Sequence, residues 1–92
     1  MYEISQASYN IAQKMNLVIK KSTLKNKKID VYKNGQKVAS IGNSNYFDYQ
    51  IYKLNMGIVY AKERRRLYMI RHAEDIKKKD SNGYYAFKLL WN

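Results

Sequence analysis

The chain contains no cysteine and no proline, four glycines, one histidine and one tryptophan, and only 7 acidic residues against 18 Lys and Arg. Without cysteine there are no disulfides and no thiolate metal sites, so the staples of small secreted domains are excluded. An intracellular setting, or a particle assembled inside a cell, is expected. With a single histidine, any nucleophilic triad or metal cluster would have to be built around His72 and scattered carboxylates, and no catalytic residues, metal or cofactor are expected. The glycines stand far apart and form no phosphate-cradling loop. Long apolar runs are missing as well. The longest, Leu17-Val18-Ile19 and Phe87 to Trp91, cannot span a bilayer, and no basic start followed by an apolar stretch marks a signal peptide. No membrane partner is expected.

What is present is tyrosine and positive charge. Ten tyrosines in 92 residues are too many for a disordered basic tail, and they suit half-buried positions where one end of the ring stays wet. A chain of this length holds one small core. The formal charge of +11 is unevenly spread. Residues 16–42 carry seven lysines and one aspartate, residues 57–80 carry eight bases and four acids, Lys88 adds one more, and the segments 1–15 and 43–56 are neutral.

Periodicity sorts these segments into an α+β fold. Lys28 to Lys33 and Gln36 to Ile41 flank Asn34-Gly35, the strongest short hairpin signal. A two-residue turn pairs Lys33 with Gln36 and Tyr32 with Lys37, then Val31 with Val38, Asp30 with Ala39 and Ile29 with Ser40. Asn16 to Ser22 adds a third strand, giving an antiparallel meander with one apolar and one basic face. Gly57 to Ile76, free of proline and internal glycine, is expected as one main helix covering the sheet. Residues 45–53 read as a short helix or ordered loop, and Tyr84 to Trp91 as a helical turn or strand docked on the core. Ile4, Ala7, Ile11, Ala12 and Met15 recur at helical spacing in an N-terminal segment 1–15, outside a single basic domain of residues 16–92.

The candidate phosphate-binding set follows from the clustered charge. Lys20, Lys21, Lys25, Lys27, Lys28 and Lys37 lie on or beside the hairpin, with Tyr32 among them as a ring on which a base stacks, and Arg65 and Arg66 lie on the helix. Successive helical residues point about 100° apart, so three consecutive arginines cannot share one task. Arg64 shares a stripe with Tyr60, Leu67 and Arg71 and is expected to be partly buried, paired with Asp48 or a backbone carbonyl. The plain alternative for all these charges is a solvated surface that keeps a small protein soluble.

Asp30-Val31-Tyr32-Lys33-Asn34-Gly35, Ile41 to Tyr49, Arg64-Arg65-Arg66-Leu67-Tyr68 with Arg71-His72, and Gly83-Tyr84-Tyr85-Ala86 with Leu89-Leu90-Trp91 occur in an order that resembles a family of small basic proteins. That family, to which no activity is assigned, occurs in large double-stranded DNA viruses of algae and protists, with similar sequences in some phages. The resemblance covers residues 17–91. It implies a viral origin, with residence in a virion or an infected cell, and a shared framework of Asp48, Tyr49, Arg64, Tyr68, Arg71, His72, Tyr84, Tyr85 and Trp91, in which Asp48, Arg64, Arg71 and His72 are a polar framework of the fold or a site. Gly57-Ile58-Val59-Tyr60 is similar to the opening of the GIY-YIG nuclease signature, but the second half is missing and the string opens a helix. Two expectations follow. One is a non-enzymatic, largely sequence-tolerant nucleic-acid-binding protein, with DNA rather than RNA the expected partner. The other is a minor capsid or cement protein packed between larger virion proteins.

Overall fold

Asn34 and Gly35 take φ of 53° and 81° and close the two-residue turn between β2 (Ile29–Lys33) and β3 (Gln36–Ile41) in a computed structural model of the chain. Both positive angles are what a type I′ turn requires. The structure describes residues 3–91; Met1, Tyr2 and Asn92 of the expected terminal segments lie outside that range. β1 (Val18–Lys21) pairs antiparallel with β2, giving the order β1-β2-β3. The fold is α+β, a three-stranded antiparallel meander with helices.

The hairpin register departs from the expected one after its first two pairs. Lys33 faces Gln36 and Tyr32 faces Lys37, but Val31 then faces Ala39, Asp30 faces Ser40 and Ile29 faces Ile41. Val38 is the extra residue of a β-bulge and is 40% exposed. The shift has a clear cause in packing. It turns Ala39 and Ile41 onto the same face as Val31 and Ile29, all four buried, and moves Ser40 to the opposite face beside Asp30. Without the bulge Ser40 would sit in the core and Ile41 in water.

The helix that covers this apolar face is α5 (Asn82–Leu90), not the long helix that sequence reading assigned to it. Ser81 caps α5 by accepting the Tyr84 amide, and Tyr85, Leu89, Leu90 and Trp91 join Leu17, Ile19 and the buried residues of β2 and β3 in one core. α1 (Gln6–Lys14), capped by Ser5, packs on β1 and α5 through Ala12, with Ile4, Ile11 and Met15 at the margin. Its buried Ser8 donates to the Leu89 carbonyl, which links the two helices through an otherwise orphaned C-terminal acceptor.

The remaining helices stand outside the core. α2 (Tyr49–Met56) and α3 (Ile58–Arg71) fold against each other about Gly57, and Ala61 is the only buried residue that either contributes among the described residues. The expected single helix over residues 57–76 is interrupted at His72, where φ of −114° leaves the helical region, and continues as α4 (Ala73–Lys77). The break lets α4 lie against α5 so closely that a Cβ on Gly83 would collide with Asp75.

Candidate functional site

Two surfaces collect the residues singled out in the sequence. The first is the outer face of the sheet, opposite α5. Here Lys20 Nζ lies 5.2 Å above the centre of the half-buried Tyr32 ring, and Lys37 is the cross-strand partner of Tyr32. Lys25 and Lys27 are exposed in the loop that joins β1 to β2. Lys21 lies at the end of β1 in an ion pair with Glu3 at 2.9 Å. Asp30 sits in the same sheet as an anchor that sequence reading missed, accepting from Ser22 and Ser40 hydroxyls at 2.7 Å each. Burial works against its charge, but those two donors and nearby Lys37 win, and its carboxyl is held below the usual range. Its position between Ile29 and Val31 in a strand was the one available signal.

Lys28 is a correction. It was expected at the surface as a phosphate ligand, yet its side chain is 3% exposed and its ammonium lies 3.2 Å from the equally buried Asp48. Burial pulls the lysine below its ordinary pKa, while the Asp48 carboxylate opposes that pull. Asp48 also caps α2 by accepting the Ile51 amide. A cation so enclosed does not meet a nucleic-acid backbone. Arg65 is a second correction: its Nε donates to the Trp91 carbonyl and its guanidinium lies 5.2 Å from the Phe87 ring. These contacts hold it at the end of α5, on the side of the sheet away from Tyr32. Arg66 is exposed and forms a two-bond pair with Glu63 on the same helix. The helix arginines and the sheet lysines therefore do not form one continuous surface.

The second surface is a cleft of about 620 Å³ into which Asp48, Arg64, Arg71 and His72 are all brought, although they are spread over 24 sequence positions. Its walls are built by stacking. Tyr68 lies against Trp91 with ring centroids 4.5 Å apart and 13° between planes, and against His72 at 4.4 Å. Tyr52 meets Phe47, Tyr60 and Trp91 at 5.4, 5.7 and 6.1 Å. Arg64 and Tyr68 lie four residues apart on one face of α3, and His72, four further on, is the residue that caps its end. The floor is tight: Gly42, at φ of 80°, leaves no room for a Cβ between Leu90 and Lys28.

Arg64 is half-buried, as expected, but its partner is neither Asp48 nor a carbonyl. Its guanidinium carbon lies 5.5 Å from the Tyr52 ring centre, and its buried Nε has no hydrogen-bond partner among the described residues. An unmet buried donor costs roughly 1–3 kcal/mol. Burial also pushes the Tyr68 hydroxyl above its ordinary pKa. No group of three or more His, Cys, Asp or Glu able to hold a metal occurs among the described residues. In charge, Lys28 and Asp48 cancel, and the guanidiniums of Arg64 and Arg71 give the cleft its sign.

Comparison with known proteins finds no matching family model, no matching curated protein and no matching solved structure.

Proposed function

We propose that the protein is a small nucleic-acid-binding module of a large DNA virus, held in the virion or acting inside the infected cell. It grips the phosphate backbone in a largely sequence-tolerant way, has DNA as its partner, and is a binding protein rather than an enzyme. The observation that supports this reading is the outer sheet face, where Lys20 and Lys37 flank the Tyr32 ring and Lys25 and Lys27 extend the positive charge into the adjoining loop. Cations beside an aromatic face suit a strand whose phosphates they neutralise and whose bases or sugars lie on the ring. The viral setting rests on the resemblance of the four ordered motifs.

The test is titration with duplex and single-stranded DNA and with RNA over a range of salt. Four or five lysine contacts give a log–log salt slope of about −4 on duplex. The double variant Lys20→Glu/Lys37→Glu should flatten that slope and weaken binding with little change in thermal midpoint. Affinity that is feeble at every salt concentration refutes the proposal.

One observation favours a second reading, packing between larger virion proteins. Leu54, Val59 and Ile70 on α2 and α3 are 84%, 81% and 62% exposed, which is unusual for apolar side chains of that size. Co-fractionation with the shell of purified virions, rather than with the genome, would decide for it.

A further inference from the structure

The cleft between the α2–α3 pair and the end of α5 combines three features that suit a ligand. The Arg64 guanidinium lies over a ring with one buried N–H unmet. Arg71, two turns further along α3, is exposed at the rim with its charge uncancelled by the Lys28–Asp48 pair. The walls are flat aromatic surfaces, of which Trp91 and Tyr68 are already aligned to within 13°.

We infer that this cleft binds a nucleoside monophosphate unit, with the phosphate on Arg64 and Arg71 and the base against the aromatic wall. Guanidinium forks match phosphate oxygens in pairs, and Arg64 and Arg71 both line the cleft with charge that the Lys28–Asp48 pair leaves uncancelled. A volume near 620 Å³ lies within the range of small-molecule sites. The rim favours a base over a simple phosphorylated ring. Asn43 uses its carbonyl oxygen to accept the Asn45 amide at 2.9 Å, leaving its NH₂ group for a hydrogen-bonding edge, which a nucleobase has and a phenyl ring lacks. The site does not depend on the outer sheet face, because it lies on the other side of the core.

The chain reports on its own cleft, since Trp91 is its one tryptophan. Titration of the full chain with adenosine 5′-monophosphate, followed by tryptophan fluorescence and calorimetry, should show saturable binding. Adenosine alone and inorganic phosphate alone should each bind at least tenfold more weakly. Arg71→Gln, at an exposed position, should lower the nucleotide affinity at least tenfold with an unchanged melting temperature. Arg64→Lys, which keeps the charge and loses the fork, should lower it as well. A single-stranded oligonucleotide with a 5′-phosphate that binds tighter than its unphosphorylated twin would identify a strand end as the source of the nucleotide, and equal binding would identify the free nucleotide. No saturable binding, adenosine binding as well as its monophosphate, or O-phosphotyrosine binding more tightly would each overturn the inference. Duplex binding that persists while the nucleotide fails to bind would overturn it and leave the sheet surface standing.

Discussion

The half of the molecule built from the sheet, α1 and α5 is held by apolar burial, and the half built from α2 and α3 is not. In the first, Ile29 and Val31 are 0% exposed and eleven buried residues form a single cluster. In the second, Tyr49, Tyr52 and Tyr68 touch the margin of that cluster, while Leu54, Met56, Ile58 and Val59 remain in water. What joins the halves is polar and aromatic: the enclosed Lys28–Asp48 pair, the Arg65 bond to the Trp91 carbonyl, and the Tyr68–Trp91 stack. A small basic chain can thus carry a cleft because one part supplies a rigid floor and the other is attached by directional contacts that leave space between them.

The sharpest way to break that arrangement is at the ion pair. Asp48→Asn keeps a side-chain oxygen for the α2 cap but removes the carboxylate charge facing the buried Lys28 ammonium, and it should cost about 3–5 kcal/mol in denaturant unfolding. Lys28→Met in the same chain removes the ammonium charge as well and should recover most of the loss. Equal instability of the single and double variants would show that the pair is not what couples the halves.

Next in size is the contrast between the halves themselves. Ile29→Ala, at a position with no exposure, should cost about 2–4 kcal/mol, whereas Leu54→Ala, at 84% exposure, should change stability by less than about 0.5 kcal/mol. Similar losses at the two positions would mean that the α2 face is covered in solution, which would favour an assembly partner there.

The sequence carried the first half more legibly than the second. Asn34-Gly35 fixed the turn, and the three- and four-residue spacing of Ile4, Ile11, Ala12 and Met15 marked α1, because in both cases the signal is local. The bulge was hidden, since Val31 and Val38 alternate correctly for a regular hairpin and only the demand to bury Ile41 overrides it. The covering helix was misassigned because α5 is only nine residues long, so its buried Tyr85, Leu89 and Leu90 span too few turns to tell a helix from a strand. Asp48, Arg64, Arg71 and His72 were grouped by the resemblance of the ordered motifs, and the fold unites them in one cleft. Lys28 and Arg65 were beyond reach by spacing, because their partners, Asp48 and the Trp91 carbonyl, are 20 and 26 positions away.

A polar clasp also exists within the first half, and its exposure makes it the weaker one. Asp80 accepts the Tyr85 hydroxyl at 2.6 Å and lies 3.5 Å from Lys33, tying α5 to β2 at a position where the Asp80 side chain is 48% exposed. Burial first, and then the Asp80 carboxylate, push the Tyr85 pKa up to about 12. The folded state therefore keeps a proton that the unfolded chain releases near pH 10, so the stabilisation is complete below that value and is lost as pH rises toward 12. Tyr85→Phe should cost about 1 kcal/mol at neutral pH for the lost hydrogen bond. The gap between wild type and variant should narrow between pH 10 and 12, as followed by thermal unfolding at each pH. A gap that stays constant across that window would mean that the hydroxyl titrates alike in both states, and that Tyr85 serves this half of the molecule by its ring alone.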